Sequence, residues 1–250
     1  MKKTFLVLLL LAVIQLSCYG AQFSFAVLGD NRDGDVAFLD IIKRINSDND
    51  TKFIVNTGDL TPHGYASEYE KYWEMCGSSN VKIFDVIGNH DLGLFNAGAG
   101  SFRKKYGETY YYFDHDNSRF IIIDNTRSKG LGRQQWTWLK DALKTEKDIF
   151  VFLHKPLVDA TGMYPNYLMI PKKENDELNK LLKRSKVKYI FAGHIHGYGR
   201  EAINGIVYVV TGGAGAPLYL PAHTGGFYHY VKVTVDGSKI TDEVVKIYVE

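Results

Sequence analysis

Short apolar runs recur along the chain, and several of them end in a polar stretch that contains glycine. The runs at residues 23–28, 53–57 and 82–87 are rich in Val, Ile and Phe, and they therefore predict buried β-strands. Between these runs, apolar residues recur at helical spacing over residues 36–45 and 65–76. This repeated order of strand, polar end and helix predicts an α/β protein with parallel strands.

The rest of the chain adds predicted elements of the same two kinds. They are a hairpin of residues 109–113 and 119–123, helices at 134–143 and 174–184, strands at 149–153 and 187–192, and strands with glycine turns over 205–249. No internal repeat, low-complexity tract or linker interrupts this order. We therefore predict one domain over residues 21–250.

The N-terminus has the three parts of a secretory signal peptide. Two lysines precede the apolar run 5–14, and small or turn-forming residues follow at 17–21. The apolar run is shorter than the ~20 residues that a membrane-spanning helix needs. We expect residues 1–20 to be removed and the protein to be exported, as a periplasmic or secreted protein. The segment 16–18 also resembles a lipoprotein site, so a membrane anchor on Cys18 stays open.

Composition and charge narrow the classes of function. The chain is 45% hydrophobic and 23% charged, which is ordinary for a globular protein. Its net charge is +2, and Lys2 and Lys3 account for that excess. A near-neutral mature chain without a basic and aromatic stretch gives no reason to expect a nucleic-acid partner. Cys18 and Cys76 are the two cysteines, so no disulfide framework is expected, and the oligomeric state stays open.

Polar residues with metal-ligand chemistry follow five of the predicted strands. Ligands of open α/β sheets bind at this carboxyl edge. Carboxylates and imidazoles together suit Mn, Fe, Zn or Ni, and one carboxylate can bridge two ions ~3.5–4 Å apart. Two imidazoles at i and i+2, as in Gly193-His194-Ile195-His196, project from the same side of an extended segment. The candidate ligands are Asp30, Asp59, Asn89, His154, His194 and His196.

Each of these signals has a simpler interpretation when it is taken singly. A Gly-Asp pair is usually a turn, and Gly88-Asn89-His90-Asp91 could be a polar turn whose Asn and Asp only cap a helix. A single His at a strand end is more often a hydrogen-bonded core residue than a ligand. The joint occurrence of all five in this order is what favours a metal site.

These motifs resemble the calcineurin-like metallophosphoesterase family over residues 23 to about 196. The resemblance implies a four-layer α/β/β/α sandwich, in which two mixed sheets lie face to face with helices outside. It implies two divalent metal ions and hydrolysis of phosphate mono- or diesters by a metal-activated hydroxide. The implied ligands are Asp30, Asp59 and His196 at the first ion, and Asp59, Asn89, His154 and His194 at the second.

The same resemblance assigns catalytic roles next to the metal ligands. His90 is expected to act as the acid or electrostatic helper near the leaving group. Asp91, or a neighbouring acid, is expected to orient His90. We expect a small phosphate ester as the substrate.

Arg32 departs from the family pattern. The family's first motif is usually Asp-x-His, and a guanidinium cannot replace the histidine as a metal ligand because it has no lone pair to donate. Occupancy of the first site is therefore open, and the nearby His63 and Tyr65 are possible substitutes. Arg32 itself is expected to pair either with an acid such as Asp33 or with the substrate phosphate.

The sequence therefore predicts an exported, metal-dependent phosphoesterase. Arg32 favours one alternative, a non-catalytic metal- or phosphate-binding module on the same fold. A further alternative within the enzymes is a cyclic-nucleotide phosphodiesterase or nuclease. The physiological substrate and the native metal stay open.

Overall fold

A computed structural model describes residues 22–164 and 171–249. The expected signal peptide and Cys18 lie outside the described residues. Within these two ranges, no helix combines the length and the apolar character that a membrane span requires.

The described residues form β-strands and α-helices at nearly all the predicted places. The strands are β1 (Phe23–Leu28), β2 (Thr51–Asn56), β3 (Lys82–Asp85), β4 (Tyr111–His115), β5 (Ser118–Ile122), β6 (Asp148–Phe152), β7 (Val187–Ala192), β8 (Tyr198–Ile203), β9 (Ile206–Thr211), β10 (Tyr228–Asp236) and β11 (Lys239–Ile247). The helices are α1 (Asp35–Asn46), α2 (Ala66–Cys76), α3 (Gly98–Tyr106), α4 (Gly132–Ala142) and α5 (Lys172–Leu182).

The strands make two mixed sheets. The first has the order β11-β10-β1-β2-β3, and the second has the order β4-β5-β6-β7-β9-β8. In the first sheet β1, β2 and β3 are parallel, and the β10–β11 hairpin pairs antiparallel with β1. In the second sheet β5, β6, β7 and β9 are parallel, and β4 and β8 add an antiparallel strand at each rim. The parallel strands matter most, because their carboxyl ends point toward the same edge.

Three apolar layers hold the sheets and helices together. The middle layer is aromatic: Phe25 of the first sheet meets Phe120 and Phe150 of the second edge-on, with ring centroids 5.1 and 5.2 Å apart. The outer face of the first sheet packs against α1, α2 and α3, and that of the second sheet packs against α4 and α5. The four-layer α/β/β/α sandwich predicted from the resemblance is therefore confirmed.

Three local features differ from the prediction. Helix α3 was not predicted, because Gly98 and Gly100 weaken its helical signal. Strand β8 was not predicted either, because it is an edge strand with a largely exposed polar face. Strand β3 is shorter than predicted, since its partner β2 ends at Asn56 and bends away into the Gly58 turn.

Candidate metal centre

The candidate ligands of both sheets meet at one edge of the sandwich. Asp30, Asp59 and Asn89 follow β1, β2 and β3, whereas His154 follows β6, and His194 and His196 follow β7. Five of the six residues are buried, and Asn89 is half-buried. Because the two sheets lie face to face, residues that are more than 160 positions apart in the sequence come together here.

One cluster combines two carboxylates and an imidazole. Ligand atoms of Asp30, Asp59 and His196 all lie within 4.8 Å of one another. The Nε2 atom of His196 is 3.4 Å from Oδ1 of Asp30, while its Nδ1 atom donates a hydrogen bond to the Pro217 carbonyl at 2.7 Å. Burial lowers the pKa of His196, but the hydrogen bond and the charge of Asp30 outweigh burial and raise this pKa overall.

A second cluster surrounds the Nε2 atom of His154. This atom lies 3.0 Å from Oδ1 of Asn89, 3.1 Å from Nδ1 of His194 and 3.3 Å from Oδ1 of Asp59. The other ring nitrogen of His154 donates to the Thr57 carbonyl at 3.0 Å. Asp59 belongs to both clusters, so its two carboxylate oxygens are placed to serve two neighbouring ions.

The donor atoms of both clusters fit divalent cations. Backbone carbonyls accept the Nδ1 protons of His154 and of His196. In the neutral form of each ring, the lone pair of Nε2 is then the one directed at the cluster. Burial, together with the nearby His154, lowers the pKa of His194 to about 3, so this ring is neutral as a ligand must be. Lone pairs and carboxylates that converge in this way repel one another, and a cation between them would remove the repulsion.

Two glycines make room for the carboxylates of neighbouring motifs. A Cβ atom at Gly193 would lie 2.3 Å from Oδ2 of Asp30, and one at Gly88 would lie 2.3 Å from Oδ1 of Asp59. Both distances are far below van der Waals contact. These glycines are therefore required by the ligands themselves, and not only by the turns in which they lie.

Neighbouring loops hold the ligands in place. The side-chain oxygen of Asn125 accepts hydrogen bonds from the backbone N–H groups of His154 and Lys155 at 3.2 and 3.0 Å. The backbone N–H groups of Ala214 and Ala216 donate to the carbonyls of Gly29 and Asp30. The sequence predicted only strands with glycine turns over 205–249, so this bracing of Asp30 was not predicted.

The structure corrects the expected relation between Asp91 and His90. The Asp91 carboxylate accepts hydrogen bonds from Gly88 and Thr61, whereas Nδ1 of His90 donates to the Pro62 carbonyl at 2.8 Å. The carbonyl of Pro62 thus orients His90, and Asp91 fixes the turn that carries it. Burial raises the pKa of Asp91 to about 7, and the neighbouring Asp59 carboxylate adds to this effect.

Arg32 lies against the first cluster. Its Nη1 atom donates to Oδ2 of Asp33 at 2.8 Å, and its Nε atom lies 3.4 Å from Oδ2 of Asp59. The side chain is only 14% exposed. The structure thus shows Arg32 paired with an acid, which is one of the two expectations for this residue.

His63 and Tyr65 do not stand in for the missing ligand. Nδ1 of His63 lies 2.9 Å from Oε1 of Glu68, and the His63 ring stacks on Tyr65 with centroids 5.6 Å apart. The His63 side chain is 68% exposed. Both residues belong to a surface loop beside the site.

The fold and the two ligand clusters together define a metal-binding α/β/β/α sandwich. A sequence model of the family described as calcineurin-like phosphoesterase matches residues 23–198. The chain therefore belongs to the calcineurin-like metallophosphoesterase family, as predicted from its motifs.

Known proteins match this chain at low sequence identity. The chain is 26% identical over 216 residues to "Probable inactive purple acid phosphatase 24" of Arabidopsis thaliana, covering 68% of this chain and 35% of that protein. It is 24% identical over 161 residues to "Probable glycerophosphodiester phosphodiesterase GpdQ" of Arcobacter nitrofigilis, covering 57% of this chain and 56% of that protein. The chain thus spans between about a third and just over half of the length of these relatives.

Solved structures show the same fold. The purple acid phosphatase PPD1 from yellow lupin (Lupinus luteus) seeds superposes with a TM-score of 0.72 at 20% identity, covering 90% of this chain and 52% of that one. A dimetal phosphatase from Danio rerio superposes with a TM-score of 0.71 at 14% identity, covering 90% of this chain and 96% of that one.

Substitution of Gly193 by alanine should weaken metal binding. The added Cβ must displace the Asp30 carboxylate, and disturbed ligand support typically weakens metal affinity by about 10–100-fold. Gly100→Ala is the matched control, because a Cβ at Gly100 meets no atom within 4 Å. Calorimetric titration with Mn²⁺ measures both variants. Equal Mn²⁺ affinity of the two variants would contradict the proposed role of Gly193.

The role of Arg32 can be separated into two effects. If Arg32 binds the substrate phosphate, Arg32→Ala should lower kcat/KM by about 1.5–3 kcal/mol, the range for a hydrogen bond to a charged group. Arg32→His restores the usual family ligand and should tighten the first metal ion, measured as Mn²⁺ stoichiometry and affinity. Arg184→Ala, in the exposed turn that follows α5, is the control. Unchanged kinetics in the alanine variant together with unchanged metal affinity in the histidine variant would leave Arg32 without either role.

Proposed function

We propose that this protein is a metal-dependent phosphoesterase that hydrolyses a small phosphate mono- or diester. The observation that carries the proposal is the pair of ligand clusters that share Asp59. Metal-dependent phosphoester hydrolysis is the activity of the family to which the chain belongs.

Different residues of the chain have different roles in this reaction. Two divalent ions, when bound, would supply Lewis acidity toward a phosphoryl oxygen and would activate water. Asp59 is positioned to hold both ions, with Asp30 and His196 on one side and Asn89, His154 and His194 on the other.

His90 is positioned to serve the leaving group. Its backbone N–H donates to Oδ1 of Asp59 at 2.9 Å, and its Nε2 atom lies 4.0 Å from Oδ2 of the same residue. The ring is half-exposed, so a substrate can reach Nε2 while Pro62 holds Nδ1. We infer that His90 donates a proton to the departing oxygen.

A non-catalytic binding module is the second candidate. Arg32 in place of a ligand favours it, and one relative carries the word "inactive" in its name. The ligand clusters are nevertheless complete apart from that one position, which favours the enzyme. Assays with p-nitrophenyl phosphate and bis(p-nitrophenyl) phosphate distinguish the two candidates.

Activity should depend on bound metal. Removal of metal by a chelator should abolish hydrolysis of both esters, because the ions provide both the Lewis acid and the activated water. Added Mn²⁺ or a similar ion should restore it. Elemental analysis before and after chelation measures the metal content. Full activity in protein that contains no detectable metal would refute the proposal.

Substitution of His90 by alanine should reduce catalysis without loss of metal. The expected decrease in kcat is about 10²–10⁴-fold, the usual effect of losing acid–base help. His115→Ala is the control, because His115 lies beside Phe23, at the opposite end of β1 from Asp30. A His90 variant whose activity falls only because its metal is lost would show that His90 is not a proton donor.

We also propose that the protein is exported, on the basis of its N-terminal sequence pattern. The mature chain should begin near Ala21, or at a lipid-modified Cys18 that anchors it to a membrane. N-terminal sequencing and mass spectrometry of protein from its native host distinguish these forms. A cytosolic protein that retains residues 1–20 would contradict export.

A further inference from the structure

We propose that a cavity beside the first ligand cluster binds the alcohol portion of the ester, and that this alcohol is uncharged, ring-bearing and of about nucleoside size. The cavity has a volume of ≈ 620 Å³ and lies between α1, α2 and the loops that follow β1 and β2. This inference rests on the proposed phosphoesterase activity, because it names the class of substrate for that site.

The position of the cavity fits the leaving side of the reaction. Arg32 and Pro62 both line it, and both also belong to the candidate metal centre. Arg32 lies 3.4 Å from Asp59 through its Nε atom, and the Pro62 carbonyl holds the ring of His90. An ester whose phosphoryl group lies on the ligand clusters can therefore extend its alcohol past Arg32 and Pro62 into this cavity.

Each of the two basic side chains in the cavity wall lies beside an acidic one. Arg32 is bonded to Asp33, and Lys71 forms an ion pair with Asp35. Glu68 accepts hydrogen bonds from the backbone N–H groups of His63 and Tyr65, in the loop before α2, at 2.9 and 3.1 Å. The wall contains three acidic side chains, Asp33, Asp35 and Glu68, and two basic ones. A further phosphate or carboxylate on the alcohol would therefore meet net negative charge. An uncharged alcohol is therefore favoured.

The size and the apolar surface of the cavity favour a ring system. Its volume falls within the roughly 300–1,000 Å³ of pockets that bind small organic molecules, and a glycerol-sized group would leave most of it filled with water. Val36, Ala37, Leu60 and Met75 supply apolar wall, and Val36 is 62% exposed at the start of α1. Contact with the flat face of a base or an aryl ring would remove this apolar surface from water.

The test compares two tryptophan variants of the same helix. Val36→Trp fills the cavity from α1, whereas Leu39→Trp adds the same side chain one turn further along at a half-exposed position outside the cavity wall. Adenosine 5′-monophosphate and p-nitrophenyl phosphate are the ring-bearing esters, and glycerol 2-phosphate is the small one. Each variant is compared with the unmodified protein on each ester, with Mn²⁺ present.

Val36→Trp should raise KM for the ring-bearing esters by at least about tenfold and leave KM for glycerol 2-phosphate within about twofold of its original value. Inhibition by free adenosine should weaken in parallel, while inhibition by inorganic phosphate should not change. Leu39→Trp should leave all four measurements unchanged. Met75→Trp, which fills the cavity from α2, should reproduce the effect of Val36→Trp.

Different outcomes separate the two proposals. Hydrolysis of all three esters with equal effects of the two α1 variants would overturn the cavity proposal and leave the phosphoesterase intact. A higher kcat/KM for glycerol 2-phosphate than for both ring-bearing esters in the unmodified protein would also overturn it. Hydrolysis of none of the esters by metal-loaded protein would overturn the proposed function, and the cavity proposal with it.

Discussion

The close approach of the strand-end turns to one another is the constraint on which the site depends. The Asp30 carboxylate accepts the backbone N–H of His194 at 2.8 Å, and the Asp59 carboxylate accepts that of His90 at 2.9 Å. Each carboxylate thus fixes the backbone of another motif before it meets any ion. The approach is so close that only hydrogen can occupy the Cβ position at Gly193 and Gly88. The Asp30 side chain therefore also binds the two sheets together at this edge, and the Asp59 side chain binds two neighbouring turns of the first sheet.

Strained backbone is a second consequence of the same packing. Asp30, Asp59 and His194 have φ angles of 58°, 55° and 70°, in the left-handed region that non-glycine residues rarely adopt. Such conformations persist only where surrounding contacts overdetermine them, and here the hydrogen bonds from neighbouring motifs supply those contacts. The strained turns direct three side chains inward at once, which regular strand ends would not do. Preorganisation of the ligands is thus built into the fold rather than left to the ions.

Features with a repeating local pattern were predictable from the sequence. Features that depend on contacts between distant segments were not. Apolar periodicity identified nearly all the strands, and glycine followed by a ligand residue marked the turns at Asp30 and Asp59. The role of Asp91 was not predictable in this way, because its partners Thr61 and Gly88 are chosen by the packing of two loops. The cavity between α1 and α2 left no local pattern either, since its wall combines residues from several elements.

Arg32 gives the two ligand clusters unequal electrostatic surroundings. Its guanidinium lies beside the Asp59 carboxylate, and Asp33 neutralises only part of its charge. A cation held by Asp30, Asp59 and His196 would be repelled by this guanidinium, and at such short range in a buried site the repulsion is weakly screened. A phosphate anion bound between the two would remove the repulsion. Because coupling between two ligands is reciprocal, the first ion and the ester would then each increase the affinity of the site for the other. Arg32 would in this way make occupancy of the first site depend on bound ester.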